Sequence, residues 1–423
     1  MTADLILRHA SHLVTCAGPA PRRGREQGAL AVIGDAAVAS EGGRIVFSGP
    51  TVECDRLVSE APGATVLDAR GCTVVPGFVD PHTHLVFAGD RREELRRRLA
   101  GASYAEIAAE GGGILRTVEA TRAASEAELV ESARARLDEM LACGTTTCEA
   151  KSGYGLEPAA ELKMLRVIRR LDEEHAVDVV ATFLGAHEIP AEYRHRRREY
   201  VDLLVEEMIP AVAREQLAAW CDVFCEEGVY TCEESRRILE AGRRAGLKPR
   251  MHADELAASG GSQVAAEIGA RSADHVLFIE TGPARALAER GGVATLLPIA
   301  AFYLKLGRYA PARMLIENDV PVALATDLNP GGGFSPSMPF AITLACFAMG
   351  MTLEEAIVGA TINAAYAIDR HTSVGSLEPG KQMDAVIVGG HLVDLLRVGA
   401  PSIRAVIKKG RLVFGAKEVV SNE

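Results

Sequence analysis

The stretch PGFVDPHTH, at residues 76–84, decides how the rest of the sequence is interpreted. An apolar, β-branched run at residues 73–79 ends there in an acid, a proline and two histidines. Residues two apart on a strand point to the same face, so His82 and His84 can reach one metal ion together. An isolated His-x-His also fits a turn with two solvated histidines, and the later parts of the chain distinguish these interpretations.

Length and composition favour a globular α/β protein. Of the 423 residues, 48% are hydrophobic and 24% are charged, which excludes the disordered and fibrous classes. A chain of this length exceeds one ordinary compact domain, whereas α/β barrels often exceed 250 residues as a single unit. The length therefore suggests a barrel with a smaller companion domain.

The charge balance argues against a nucleic-acid partner. There are 46 basic and 57 acidic residues, a formal charge of −11, and nucleic-acid binding favours a basic surface. Basic clusters occur at residues 91–92, 96–98 and 194–198, but acids accompany each of them. They are interpreted as solvated helix faces.

The cysteines and the apolar segments predict a cytoplasmic protein with no membrane partner. Nine cysteines without regular spacing form neither a disulfide framework nor a zinc-ribbon motif. The first apolar segment contains Asp4, Arg8, His9 and His12, which a signal-peptide core would lack. No run of about 18 apolar residues is found elsewhere.

Two patterns of residue types divide the chain into two predicted domains. Short β-branched runs between glycine turns fill residues 1–72 and return at residues 378–423, which predicts one β-sandwich-like domain built from both ends. The candidate strands in these segments are residues 5–7, 13–15, 29–33, 36–39, 44–47, 65–67, 384–388, 403–408 and 411–414.

Between these segments, residues 73–377 alternate apolar strands with amphipathic helices, which predicts a (β/α)₈ barrel. The eight candidate strands are residues 73–79, 145–150, 177–184, 220–225, 248–252, 272–276, 293–299 and 320–326. Helices are predicted at residues 126–143, 158–174, 233–245 and 261–268.

Polar residues follow or end most of these strands. Because the carboxyl ends of barrel strands meet at one mouth, the side chains there should converge. They are His82 and His84, Lys151 and Tyr154, His187, Glu226, His252, His275, and Asp327.

Four of these residues form a credible metal site: His82, His84, His252 and Asp327. Imidazoles with one carboxylate suit zinc, and such ligands also accept iron or manganese. Each histidine alone has a structural alternative, but four donors at matching strand ends favour a metal. A carboxylated Lys151 bridging two metals is the alternative to the single ion that we prefer.

Hydrolysis at such a site needs a group that moves a proton. Glu255, three residues after His252, is the preferred candidate and His275 is the second. Asp254 is a local rival with a shorter reach. An acid in the first turn of a helix, stabilised by the helix dipole, is the non-catalytic interpretation of Glu255.

Arg91 indicates an anionic substrate. It follows the histidine pair closely, and a guanidinium binds a carboxylate through two parallel hydrogen bonds. Glycine runs at residues 111–113 and 331–333 allow tight turns or a close approach of backbone to ligand. Neither run matches a phosphate-binding motif.

With the metal ligands assembled, the chain resembles the amidohydrolase superfamily, whose members hold a metal in a distorted (β/α)₈ barrel, often beside a composite β domain. Five longer stretches resemble the branch that hydrolyses 4-imidazolone-5-propanoate to N-formimidoyl-L-glutamate in histidine degradation. They are DPHTHLVFAGDR at 80–91, GGGILRTV at 111–118, KSGYGL at 151–156, FLGAHE at 183–188 and TDLNPG at 326–331.

The resemblance implies that a metal-activated water opens the ring amide C–N bond, with Glu255, His275 and Asp327 as catalytic residues. It implies one metal per chain, zinc or else iron, and it is compatible with a homodimer. The substrate contacts it implies are Arg91, Tyr104, Tyr154, His187, Glu255, Asn329, Gly331 and Gly332.

Two other functions stay open at this point. A related amidohydrolase or aminohydrolase could act on another nitrogen heterocycle, but a neutral nucleobase offers no carboxylate for Arg91. A non-catalytic scaffold with this fold is the third hypothesis, and the four intact metal ligands argue against it.

Overall fold

Two β-sheets organise the chain in this computed structural model, which describes residues 1–102, 106 and 112–415. The strands are β1 Thr2–Val14, β2 Val32–Glu41, β3 Arg44–Pro50, β4 Ser59–Asp68, β5 Cys72–Pro76, β6 Phe78–Asp80, β7 Thr145–Lys151, β8 Asp178–Ala186, β9 Trp220–Cys225, β10 Lys248–Pro249, β11 Met251–Ala253, β12 Ser272–His275, β13 Val293–Leu296, β14 Val322–Leu324, β15 Ala385–Gly389, β16 Ile403–Lys408 and β17 Arg411–Phe414.

The α-helices surround the second sheet, apart from α1, which packs on β2 and β3. They are α1 Thr51–Leu57, α2 Arg92–Leu99, α3 Ile114–Ala123, α4 Glu126–Ala142, α5 Pro158–Glu174, α6 Arg197–Leu203, α7 Ile209–Arg214, α8 Cys232–Arg244, α9 Gly261–Ile268, α10 Thr281–Glu289, α11 Pro298–Tyr303, α12 Ala312–Glu317, α13 Met338–Met349, α14 Leu353–Gly359 and α15 Ile362–Ala367. None of the helices in the described part of the chain is long and apolar enough to span a membrane.

The first sheet combines both ends of the chain, as the sequence predicts. Its order is β17-β16-β15-β5-β1-β2-β3, with β4 parallel to β1. Strand β5 pairs antiparallel with β15 and parallel with β1, so it joins the C-terminal strands to the N-terminal ones. Hydrogen bonds thus unite all eight strands in one mixed sheet, which we call the terminal sheet. The domain boundaries at residues 72–73 and 377–378 stay a prediction.

The second sheet is the predicted (β/α)₈ barrel. Strands β6, β7, β8, β9, β11, β12, β13 and β14 lie side by side and parallel, with the short β10 also beside β9. The seam is bridged beyond the ends of β6 and β14, where the backbone N–H of His84 donates to Leu328 O at 2.8 Å. Carboxyl ends of all eight strands therefore face one mouth.

Gly77 separates the two sheets, so the prediction of one barrel strand at residues 73–79 is wrong. The terminal sheet holds β5, and the barrel begins with β6 at Phe78. A Cβ atom on Gly77 would lie 2.6 Å from Cγ2 of Thr146, so only glycine fits between the sheets there. The apolar run is continuous because both strands are completely buried, which hides the division from sequence patterns.

The predicted helices agree closely with the observed ones. Helices α5 and α9 have the predicted bounds, α4 ends one residue earlier than predicted, and α8 begins and ends one residue earlier. Capping boxes at Ser125 with Glu128 and at Thr231 with Glu234 fix the starts of α4 and α8. Strands β12, β13 and β14 are shorter than predicted, and β13 ends at Leu296 because Pro298 begins α11. The strand predicted at residues 248–252 is divided into β10 and β11.

A buried cluster of charges links the two sheets. Asp178, the first residue of β8, accepts a hydrogen bond from Lys408 Nζ at 2.8 Å, and Lys408 ends β16 in the terminal sheet. Asp384 also accepts from Lys408 at 2.8 Å, and Lys409 Nζ lies 2.6 Å from Asp178. Burial would raise the pKa of Asp178, but Lys408 and its other donors outweigh that effect and lower the pKa to about 2.

Candidate metal centre and active site

Four predicted metal ligands meet at the barrel mouth. Nε2 of His84 lies 3.3 Å from Nε2 of His82 and 3.4 Å from Nε2 of His252. Oδ1 of Asp327 lies 3.5 Å from Nε2 of both His82 and His84. The residues come from the seam after β6, from β11 and from the segment after β14, and all four are buried.

These donors fit a metal ion better than they fit one another. Zn–N bonds of about 2.0–2.1 Å place the nitrogens of a tetrahedral site about 3.4 Å apart, which matches the observed spacing. Burial holds the pKa of His82 and of His84 well below the usual range, so both imidazoles are neutral and their nitrogens are available. Buried Oδ1 of Asp327 has no hydrogen-bond partner among the described residues.

Two carboxylates orient the histidines. Nδ1 of His82 lies 2.6 Å from Asp274, and Nδ1 of His252 lies 3.1 Å from Asp222. Because a carboxylate accepts the proton on Nδ1, the Nε2 lone pair of each ring is left for a metal. His82 and His252 thus direct their Nε2 lone pairs towards the space beside Nε2 of His84.

Lys151 supports this arrangement from behind. Its ammonium is buried and lies 2.7 Å from Glu149 and 2.8 Å from Asp222. Burial would lower its pKa, but Asp222 and Glu149 outweigh that effect and raise it, so Lys151 is a charged ion-pair partner. Arg250, also buried, contacts Asp274 at 3.1 Å in the same way. With Nζ between two carboxylates, Lys151 acts as a buried cation beneath the metal ligands.

A cavity of about 410 Å³ opens above the metal ligands. It brings together most residues that the family resemblance implied. Those in its wall are His84, Arg91, Tyr154, His187, His252, Glu255, His275, Asp327, Asn329, Gly331 and Gly332. His82 lies deeper, and Tyr104 is outside the described residues.

Glu255 lies beside the metal ligands and outside any helix. Its Oε1 is 3.4 Å from Nδ1 of His275, and burial together with the neighbouring Glu226 raises its pKa to about 8. The interpretation of Glu255 as a first-turn helix acid is wrong, since α9 begins only at Gly261. Asp254 is excluded as a rival because its carboxylate accepts the N–H groups of Gly261 and Ser262, both at 3.0 Å.

Aromatic rings line part of the cavity wall. His187 stacks on His84 with ring centroids 4.8 Å apart, and Tyr154 lies 5.3 Å from His187. Nδ1 of His187 is 3.1 Å from Gly153 O, and burial with the nearby His252 lowers its pKa to about 3. His187 is therefore neutral, with Nε2 left for other contacts.

Asn329 shapes the loop after β14. Its Nδ2 donates to Asp327 O at 2.7 Å, and its Oδ1 accepts the N–H groups of Gly331 and Gly332 at 2.8 and 2.6 Å. These polar atoms are already used inside the loop. The loop conformation at the cavity wall thus depends on Asn329, while its contact with substrate stays a prediction.

Sequence reasoning missed Asp222, Asp274, Arg250 and the supporting role of Glu226. The carboxylate of Glu226 accepts the N–H groups of Glu255 and Leu256, each at 2.8 Å, and so holds the segment that carries Glu255. A signal was present for the two aspartates. Asp222 lies inside an otherwise apolar barrel strand, and Asp274 lies inside another fully buried one, where an acid needs a partner.

The sequence pattern of the amidohydrolase family matches residues 73–413. The chain belongs to the amidohydrolase family. This amidohydrolase is 53% identical to the imidazolonepropionase of Symbiobacterium thermophilum over 98% of each chain. It is 49% identical to the imidazolonepropionase of Geobacillus kaustophilus, over 98% of this chain and 99% of that one.

Solved structures agree on the architecture of the amidohydrolase. The chain is similar to an adenosine deaminase from Xanthomonas campestris with bound zinc, with a TM-score of 0.73, 18% identity, and coverage of 100% of this chain and 95% of that one. At this identity the likeness shows the fold alone. The predicted amidohydrolase fold is confirmed.

Proposed function

We propose that the protein hydrolyses 4-imidazolone-5-propanoate to N-formimidoyl-L-glutamate in histidine degradation. The reaction breaks the ring amide C–N bond and adds one water across it. The imidazolonepropionases at 53% and 49% identity support this assignment over nearly the whole chain. The structural observation that carries it is the presence of Arg91 in the same cavity as the metal ligands, which suits a ring with an anionic side chain.

One metal ion is held by His82, His84, His252 and Asp327 in this proposal. When bound, such an ion lowers the pKa of its water from about 15.7 towards about 7 and polarises a carbonyl. Zinc is proposed because three imidazoles and one carboxylate at this spacing suit it, and iron is the alternative. Elemental analysis of the purified protein tests the assignment. One zinc per chain is expected, and finding one iron per chain would identify the metal as iron.

Glu255 moves the proton in this proposal. A carboxyl whose pKa is about 8 takes and returns a proton readily near neutral pH, so Glu255 can accept the proton of the attacking water. The same group then donates to the departing ring nitrogen. His275, 3.4 Å from Glu255, is placed to hydrogen-bond to the reacting oxygen.

Substrate orientation falls to the remaining cavity residues. Arg91 binds the propanoate, and Tyr154 and His187 contact the ring from the aromatic side. Arg91 also distinguishes this function from that of an aminohydrolase for neutral nucleobases, since a neutral nucleobase has no carboxylate to pair with its guanidinium. All nine cysteines are unpaired, which supports a reducing compartment, and we place the enzyme in the cytoplasm.

A direct assay tests the function. The imidazolone absorbance should disappear on adding enzyme, and mass spectrometry should identify N-formimidoyl-L-glutamate as the product. His252→Ala is the control, because loss of one ligand should abolish both metal retention and turnover. A wild-type protein that holds its metal but leaves the imidazolone unchanged would refute the proposed substrate.

A further inference from the structure

Glu94 is a buried acid beside the proposed carboxylate site to which the mechanism gives no role. It lies in α2, one helical turn after Arg91, and its side chain is only 6% exposed. Its Oε2 accepts a hydrogen bond from Nε of Arg91 at 2.7 Å. Its Oε1 accepts the N–H of Gly113 at 2.9 Å. The carboxylate therefore joins Arg91 to the segment that begins α3.

The bond from Nε restricts how Arg91 can bind an anion. A guanidinium can pair with a carboxylate through Nε and one terminal nitrogen, or end-on through its two terminal nitrogens. Glu94 occupies Nε, so the first arrangement is blocked. Among the described residues, no protein group accepts a hydrogen bond from Nη1 or Nη2 of Arg91, which leaves the end-on arrangement for a ligand.

Gly331 confines the guanidinium from another side. A Cβ atom there would lie 2.6 Å from Cζ of Arg91, so the guanidinium rests directly against bare backbone. The carbonyl of Gly331 accepts a hydrogen bond from Arg98 at 2.5 Å, which fixes this segment against the end of α2. Glu94 and Gly331 together hold Arg91 in one orientation at the cavity wall.

The neighbouring Glu93 provides a natural comparison. It has the same charge and lies in the same helix, but its side chain is 64% exposed. It pairs with Arg96 at 3.1 Å on the solvent side. An exposed pair of this kind contributes little, whereas a buried, charge-assisted bond to a ligand-binding arginine orders it.

From these contacts we propose that Glu94 is a positioning residue that presents Arg91 end-on to the substrate carboxylate and so sets the preference for anionic substrates. The proposal rests on the proposed function, because it concerns the propanoate of the same substrate. It assigns selectivity to a residue that does not line the cavity.

The test compares an acid and its neutral analogue. Steady-state kinetics are measured with 4-imidazolone-5-propanoate and with the corresponding propanamide, using wild type, Glu94→Ala, Glu94→Gln and Glu93→Gln. In Glu94→Ala, KM for the acid should rise ~10-fold or more, the scale of a charge-assisted hydrogen bond, with kcat changed by less than about 3-fold. The propanamide kinetics should change little, so the preference for the acid over the amide falls.

The conservative variant and the control sharpen the result. Glu94→Gln keeps an oxygen that accepts from Nε, so its KM should lie between those of wild type and Glu94→Ala. Glu93→Gln should match wild type with both substrates. If Glu94→Ala does not fold, judged by thermal melting, Glu94→Gln carries the same comparison of KM with kcat.

Two results would overturn the proposal. An equal loss of kcat/KM for the acid and the propanamide would mean that Glu94 only supports the fold, and an unchanged KM for the acid would remove its positioning role. An inactive wild type instead refutes the proposed function. Titration with 3-(imidazol-4-yl)propanoate and its amide then decides the role of Glu94, and equal acid-over-amide preferences in wild type and Glu94→Ala overturn it.

Discussion

At the scale of single residues, neighbouring carboxyl groups at the barrel mouth differ in the hydrogen bonds that they accept. The carboxylate of Glu226 is occupied by backbone N–H groups and by the hydroxyl of Ser259. In the described part of the chain, nothing donates a comparable hydrogen bond to the carboxyl of Glu255, whose nearest partner is His275 at 3.4 Å. A group that is buried yet not committed to a hydrogen bond can exchange its proton, and this separates Glu255 from the structural acids around it.

Replacing Glu255 with Gln should therefore slow turnover without releasing the metal. The amide has almost the same shape but cannot carry the proton, so kcat should fall ~10²-fold or more, the scale of general acid–base catalysis. Steady-state kinetics measure the fall in kcat, and elemental analysis of the same preparation measures the retained metal. Glu227→Gln, an exposed neighbour of Glu226, is the matched control and should retain full activity. A wild-type kcat in Glu255→Gln would transfer the proton-moving role to His275.

Much of this site could be predicted from the sequence because the predicted metal ligands lie at strand ends. His82, His84, His252 and Asp327 lie at or just after the ends of predicted strands, and the carboxyl ends of barrel strands meet at one mouth. The supporting carboxylates could not be assigned in the same way. Which histidine faces Asp222, and which faces Asp274, depends on the register between strands that are far apart in sequence.

At the scale of elements, Gly77 is where the chain passes from one sheet to another. Its N–H donates to Asp384 O in the segment before β15, while the N–H of Phe78 donates to Gly144 O before β7. Adjacent backbone groups thus serve two different sheets. Hydrophobic patterning cannot detect this change, since burial is complete on both sides of the glycine.

Gly77→Ala should destabilise the protein. The added methyl group would collide with the side chain of Thr146, and overpacking of a buried site typically costs about 1–3 kcal/mol. Urea unfolding measures the loss. Gly282→Ala is the control, because this glycine lies in α10 with open space around its Cα and should gain slightly from alanine. Equal unfolding midpoints for Gly77→Ala and wild type would show that the two sheets have room to separate at this point.

At the scale of the whole molecule, the barrel and the terminal sheet are joined by buried charges as well as by apolar packing. The ammonium of Lys408 lies between Asp178 and Asp384, and Gln382 donates to Asp178 at 2.9 Å. Sequence texture predicted that the two ends of the chain share a sheet. It could not predict which residues dock that sheet on the barrel, because an acid opening one strand and a lysine closing another look like ordinary terminal residues.

This junction predicts a pH-dependent stability. The pKa of Asp178 is lowered to about 2 in the folded protein, against ~3.9 in an unfolded chain, so its contribution is complete above pH ~4 and is lost as pH falls towards 2. Asp178→Asn should lower the free energy of unfolding at pH 7 by up to roughly 2.6 kcal/mol. The difference between variant and wild type should narrow below pH 4.

Urea unfolding at a series of pH values measures this difference. Asp138→Asn is the control, because Asp138 is 68% exposed and should change the free energy of unfolding by less than about 0.5 kcal/mol. If the difference in free energy of unfolding between Asp178→Asn and wild type stayed constant from pH 7 to pH 3, Asp178 would not be the ionised group assigned here.

The pairing of β5 with both β1 and β15 also sets an order of events during synthesis. The ribosome makes β5 early, yet its antiparallel neighbour begins only at Ala385, after every barrel strand has been made. Until then, one edge of β5 exposes unpaired N–H and C=O groups, which invite pairing with another chain. The nascent protein is therefore vulnerable to aggregation until its last strands emerge, and a chaperone that shields β-edges should raise the yield of active enzyme more than one that speeds barrel folding.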